Sequence, residues 1–184
     1  MSGFSDAIRQ AREKWHYRGQ VRPPFAEATA AGQESVWDYP RPPRIESDSR
    51  SVVVAWQGQT IAETNRALRV LETASPPTFY LPPEDVRTDL LRSAPGGSIC
   101  EWKGQARYWS VVLGDDQIDH AAWSYDQPFE NCREIAGCFS FYPGKLDCYV
   151  DGVRATPQPG GLYGGWITPD VVGPFKGAPG TGHW

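Results

Sequence analysis

Proline and glycine limit this chain more than any other residue type. Seventeen prolines and nineteen glycines occur in 184 residues, with proline pairs at 23–24, 42–43, 76–77 and 82–83. Each proline fixes φ and removes a backbone donor, while glycine favours turns over helix interiors. Long helices are disfavoured, and short strands joined by tight turns and extended segments are expected. The length fits one domain with a single core and extended arms.

The stretch around which the rest is organised is Ser98–Tyr125. It reads as three antiparallel strands: Ser98–Trp102, a turn at Lys103-Gly104, Gln105–Leu113, a turn at Gly114-Asp115-Asp116, and Gln117–Tyr125. Trp102, Tyr108, Trp109, Trp123 and Tyr125 stand there among Cys100, Glu101, Lys103, Arg107 and His120. Rings interspersed with a few polar groups suit a small-molecule pocket. A three-residue Gly114–Asp116 loop pairs 113 with 117. Arg107, Trp109, Trp123 and Tyr125 then line one face, with Tyr108 on the other. A two-residue loop separates the two tryptophans.

Taken in order, the chain opens with an amphipathic helix carrying Phe4, Ala7, Ile8, Ala11 and Trp15, capped by Ser2 or Ser5. Val21–Ser49 is proline-rich, yet Phe25, Trp37 and Tyr39 are costly to expose, so a strap along the domain is expected. Residues 1–49 form this helix and strap, 50–155 the compact β-rich domain, and 156–184 a glycine-rich arm. Ser51–Trp56 and Thr60–Glu63 read as a hairpin. Asn65–Glu72 fits a short helix or a buried strand equally well. Thr78–Leu81 reads as a strand, Glu84–Leu91 as a short helix, and Pro128–Ala136 as a helix ended by Gly137. Cys138–Tyr142 and Leu146–Val150 complete the strands. The arm carries enough apolar residues to be ordered, with its last five residues frayed.

A net charge of −4 and a pI near 5.4 argue against a general nucleic-acid binder. No window approaches the run of about 18 apolar residues that spans a membrane. The charged N-terminus has no signal core, so a soluble cytoplasmic protein with reduced thiols is expected. Cys100, Cys132, Cys138 and Cys148 form no CxxC pair, so no metal site is expected and no cofactor is implied.

RALRVLE, PPTFYLPPEDVRTDLL, CEWKGQARYWSV, AAWSY and IAGCFSFYPGKLD occur in that order. Over Ser51–Val150 they resemble the family called domain of unknown function 427. The resemblance implies an α+β, mainly antiparallel fold with a tent-like twisted sheet and one or two short helices. It looks like the sheets of zinc-binding reader and methionine-sulfoxide-reductase domains, without their CxxC pairs. A nucleotidyltransferase label is sometimes attached to the family. That chemistry needs a glycine-serine phosphate loop and convergent carboxylates. Gly97-Ser98 has no DxD on the next strand, and Asp115-Asp116 diverge in a turn.

Cys100 is a candidate nucleophile with Lys103 nearby, set against the ordinary role of a buried small apolar residue. A two-residue Lys103-Gly104 loop places Arg107 opposite it. Glu72, ending an apolar run, is a candidate acid or base. Asp85 and His120 have simpler structural roles, as a helix-start charge and a packing residue. Three functional readings stand. The first is a ligand pocket walled by Trp109, Trp123 and Tyr125, with Glu72, Lys103 and Arg107 at its polar ends. The second is an enzyme using Cys100 or Glu72. The third is an oligomerisation or protein-interaction module built by the arms.

Overall fold

A computed structural model describes residues 2–184, with side chains described from residue 6 onward. Helix α1 (Ser2–Glu13) is followed by fifteen short strands. They are β1 (Glu34–Ser35), β2 (Arg44–Asp48), β3 (Val52–Trp56), β4 (Gln59–Thr64), β5 (Ala67–Leu71), β6 (Thr78–Tyr80), β7 (Leu91–Cys100) and β8 (Gly104–Leu113). After them come β9 (Asp116–Ser124), β10 (Phe139–Phe141), β11 (Asp147–Val150), β12 (Val153–Arg154), β13 (Thr156–Pro157), β14 (Trp166–Ile167) and β15 (Val171–Val172). The fold is α+β and mainly antiparallel β. No helix among the described residues is long and apolar enough to cross a membrane. Ser2, Phe4 and Ser5, assigned above to the helix cap and its apolar face, have side chains outside those described.

Two layers form the body. One sheet runs β12-β11-β3-β4. The other layer joins β10-β9-β8-β7 to β2-β5-β6 through paired backbone hydrogen bonds of 2.8 and 2.9 Å between Leu81 and Phe139. Between the layers lies an apolar core that includes Val52, Val54, Ile61, Leu81, Val111 and Phe141. Alternation explains the first sheet: Val52 and Val54 of β3 point into the core and are fully buried. Its hairpin turns on Gln57-Gly58, both at positive φ (51° and 76°), pairing Trp56 with Gln59. That two-residue geometry matches the twist of the strands.

Asn65–Glu72 resolves as a strand. β5 lies between β2 and β6, and a strand covered on both faces loses its alternation. β2 comes from the end of the strap, so the sheet begins before Arg50.

The helix expected at Glu84–Leu91 is absent. Two 3-10 turns, Pro83–Asp85 and Thr88–Leu90, flank an extended Val86 that bridges Ala62. The sheet contact outweighs local helix preference. Glu130–Ile135 is likewise a 3-10 segment, broken at Cys132. It buries Cys132 and Ile135 and leaves Ala136 exposed. Gly137 ends it at φ 72°.

The meander departs from its expected register in two places. Glu101-Trp102-Lys103 is a three-residue turn pairing Cys100 with Gly104, so Arg107 sits opposite Gly97, not Cys100. Gly114-Asp115 is a two-residue loop pairing Leu113 with Asp116. A bulge then shifts the pairing between Trp109 and Val111, with His120 at φ 52°. Beyond it, Tyr108 pairs with Trp123 and Trp109 with Ala122.

Both arms are ordered against this body. In the strap, Val36, Trp37 and Tyr39 are buried, and β1 pairs in parallel with β15 of the arm. The arm buries Trp166, whose Nε1 donates to the Phe141 carbonyl at 3.0 Å. The last residues do not fray: Trp184 stacks on Phe25 with centroids 5.1 Å apart and meets the edge of Trp37.

Candidate functional site

A bulged sheet face supplies the walls of a cavity of about 410 Å³. Because Tyr108 and Trp123 are cross-strand partners, their rings share a face. Tyr125 follows two residues on, while Tyr80 of β6 and Tyr142 beyond β10 close the ring of aromatic walls. Trp123 is held firmly. Its centroid lies 4.4 Å from that of Tyr142, and its Nε1 donates to the Tyr80 hydroxyl at 3.2 Å. The Tyr108 hydroxyl donates to Ser98 Oγ at 2.8 Å.

The same alternation takes Arg107 and Trp109 to the opposite face. Trp109 packs on Phe139 at 5.5 Å and donates from Nε1 to Ser124 Oγ. Arg107 stacks over Trp109 at 4.4 Å and stands 3.5 Å from Asp126. Of the anticipated set, Glu72, Cys100, Lys103, Trp123 and Tyr125 line the cavity, and Arg107 and Trp109 do not.

The polar end centres on Lys103, whose side chain is only 13% exposed. Burial disfavours its ammonium. Cys100, Tyr80, Tyr125 and Glu72 face it, and together they hold its pKa above the ordinary lysine value. Burial pushes the Tyr80 hydroxyl up to about 12 and raises that of Tyr125 as well. At neutral pH Lys103 is therefore a cation beside two protonated phenols.

Their hydrogen bonding is incomplete. The Tyr80 oxygen accepts from Trp123, which leaves its own proton free. Among the described residues neither the Tyr125 hydroxyl nor the Lys103 ammonium donates a hydrogen bond to a side chain or carbonyl. The nearest carboxylate oxygen to Lys103, Glu72 Oε2, is 3.9 Å away. Glu72 is already engaged: its Oε1 accepts from Arg41 Nε at 3.0 Å. The Arg41 side chain is fully buried and also donates to the carbonyls of Tyr17, Thr73 and Trp184.

A roof comes from both arms. Lys14 and Trp15 follow the end of α1, which is fastened to the β7–β8 turn by Arg12 Nε to the Glu101 carbonyl (2.7 Å) and Trp15 Nε1 to Glu101 Oε1 (2.6 Å). From the other side come Leu162, Tyr163, Gly164 and Lys176. Gly164 lies against Trp123 so closely that a Cβ there would overlap Cη2 and stand 2.6 Å from Cζ3. Lys176 is 3% exposed. Its Nζ sits 3.3 Å above the Trp15 ring and donates to the Trp184 carbonyl at 2.9 Å. Burial, and then the charge of Arg41, lowers its pKa to about 8.

The remaining candidates lie elsewhere. Asp85 accepts from Thr64 and Arg66 on the outside of the fold. His120 Nε2 is 2.9 Å from the Pro95 carbonyl oxygen. Asp116 receives a hydrogen bond from Gln57 at the far hairpin end. Among the described residues no group of three or more His, Cys, Asp or Glu is placed to hold a metal ion. A second, open cleft carries Glu34, Asp48, Arg50, Arg69 and Asp170. Its charges are paired with one another, Arg50 with Asp48 and Asp170, and Arg69 with Glu34 and Glu46.

Three cavity-lining side chains escaped the sequence reading, Tyr80, Tyr142 and Lys176, as did Arg41, which holds Glu72. Tyr80 had a usable signal, since it belongs to a recognised strand. Tyr142 and Lys176 reach the cavity, and Arg41 reaches Glu72, only through contacts distant in sequence.

A family model described as Domain of unknown function (DUF427) matches residues 44–152. No curated protein matches the chain.

Proposed function

The chain belongs to the domain of unknown function 427 family, and we propose that its cavity binds a small organic anion. Lys103, Tyr80 and Tyr125 take the oxyanion, and the aromatic walls take the body of the ligand. The observation that carries this reading is the buried end of the cavity, where three donors face open space without an acceptor. An anion with several acceptor oxygens can accept from all three at once, and the bond from the ammonium is charge-assisted, about twice as strong as a neutral one. The volume of about 410 Å³ falls within the usual range of ligand pockets.

A thermal-shift and calorimetric screen of aromatic and aliphatic carboxylates, phosphate esters and their neutral amide analogues tests it. At one hundred times its Kd, a ligand raises stability by about 2.7 kcal/mol. Anions are expected to shift the wild type and leave Lys103→Met unshifted. Equal binding of the neutral analogues, or unchanged anion binding by Lys103→Met, overturns the reading.

A second reading, thiol chemistry at Cys100, is favoured by one observation. Cys100 is half-buried, lines the cavity and faces Lys103, while the other three cysteines are buried. The association reading is less well supported, because Trp37, Tyr39 and Trp166 of the arms are buried on their own domain and Phe175 and Trp184 pack against it.

A further inference from the structure

Six large apolar side chains are exposed among the described residues; Val21, Phe25 and Val153 lie away from the cavity, and the other three are grouped. Ile99 is 54% exposed, Leu162 72% and Tyr163 39%. All three line the cavity that holds Lys103. Single exposed apolar residues need no explanation, but a cluster around one opening marks a binding surface. Ile99 lies on β7, the edge strand of its sheet, and the other two belong to the arm, so two separate elements supply one apolar rim.

Two charged groups stand near that opening: Glu101 Oε1 accepts from Trp15, and the exposed Lys14 lies 4.7 Å from the centre of the Trp15 ring. From the interior outward, the cavity passes from a cation and free phenol protons, through the faces of Trp123 and Tyr142, to a rim with three exposed apolar side chains.

We infer that the ligand is amphipathic: an organic anion whose head group reaches Lys103 and whose apolar chain leaves over Ile99, Leu162 and Tyr163. The inference rests on the anion reading and adds the chemical class of the ligand's other end. A compact polar metabolite has no use for the rim. A chain that runs along it removes apolar surface from water at both the ligand and the protein.

The test uses the full-length protein and a series of straight-chain carboxylates from butanoate to decanoate, measured by calorimetry below their micelle concentrations. Full burial of a methylene is worth about fourfold in affinity. A half-exposed rim is expected to give about twofold per added methylene once the chain passes the aromatic walls. Leu162→Ser and Ile99→Ser are expected to flatten that dependence on length. Lys103→Met is expected to weaken every member of the series.

Binding of short carboxylates with no dependence on length overturns the amphipathic ligand and leaves the anion reading intact. A slope that both rim variants retain also overturns it. Absence of binding at every length, and for phosphate esters, removes the anion reading beneath it. Native mass spectrometry of the same samples covers the remaining occupant: a dimer that the rim variants dissolve shows that this surface joins two copies, and overturns the inference.

Discussion

Replacing Gly164 with alanine tests whether the arm seals the cavity through one close contact. A Cβ at 164 would overlap Trp123 Cη2 and lie 2.6 Å from Cζ3 and 3.1 Å from Cζ2, where carbon atoms settle at about 3.5–4.0 Å. The ring cannot easily retreat. It is wedged against Tyr142, bonded to Tyr80 and only 6% exposed. The arm must lift instead, and overpacking of this kind costs about 1–3 kcal/mol. In a chain of this length that lowers Tm by about 2–12 °C. Gly182→Ala is the control, because nothing lies within 4 Å of a Cβ at that position. Differential scanning calorimetry is then repeated in a Trp123→Phe background, where the smaller ring leaves room for the methyl group. There the cost of Gly164→Ala is expected to fall by about 1 kcal/mol or more, as for contacting pairs. An equal cost in both backgrounds, or a Gly164→Ala Tm matching that of Gly182→Ala, would refute the reasoning.

Two further outcomes concern single groups. Limited alkylation with iodoacetamide, read by peptide mass spectrometry, is expected to label Cys100 first, since burial encloses Cys132, Cys138 and Cys148 and raises their pKa values; preferential labelling of any of those three contradicts the site. Lys176 titrates near 8 when folded and near 10.5 when unfolded, so between these values the unfolded chain binds the extra proton and stability rises with pH. The gain from Lys176 across the window is about 3 kcal/mol. Denaturant unfolding of wild type and Lys176→Met at pH 7.5 and 9.5 isolates it, because the raised tyrosines and cysteines are common to both. Parallel pH dependence in the two proteins would show that the lysine is not strained by burial.

What could be read from the sequence was local. Tight turns at Gln57-Gly58 and Gly137, and the alternation of Val52–Val54, follow from residues adjacent in the chain, and so does the mainly antiparallel class. Register was harder. The expected three-residue loop placed Trp109 beside Trp123, whereas the two-residue loop at Gly114-Asp115 separates them, and a bulge marked by no glycine brings Tyr108 opposite Trp123. His120, not glycine, takes the positive φ there. Lys103 read as a turn residue at a polar end of the pocket, within a two-residue turn; the turn has three residues, and the helix end is fastened to it. Arg41 sits in a proline-rich strap, and nothing around it announces a buried guanidinium whose partner is 31 residues away. The cluster of rings on the meander was legible, therefore, but the cavity they line also depends on contacts between distant segments.

The division of the cavity between floor and roof has an evolutionary consequence. Lys103, Tyr80, Tyr125 and Glu72 lie inside residues 44–152, the segment matched by the family model, whereas Trp15, Leu162, Gly164 and Lys176 lie outside it. An anchoring chemistry can thus be inherited with the domain while the entrance is rewritten by whatever flanks it. Under the anion-binding proposal, exchange of the arms would offer the same cationic anchor to ligands of different length and shape, provided that the new arm refills the core position of Trp166.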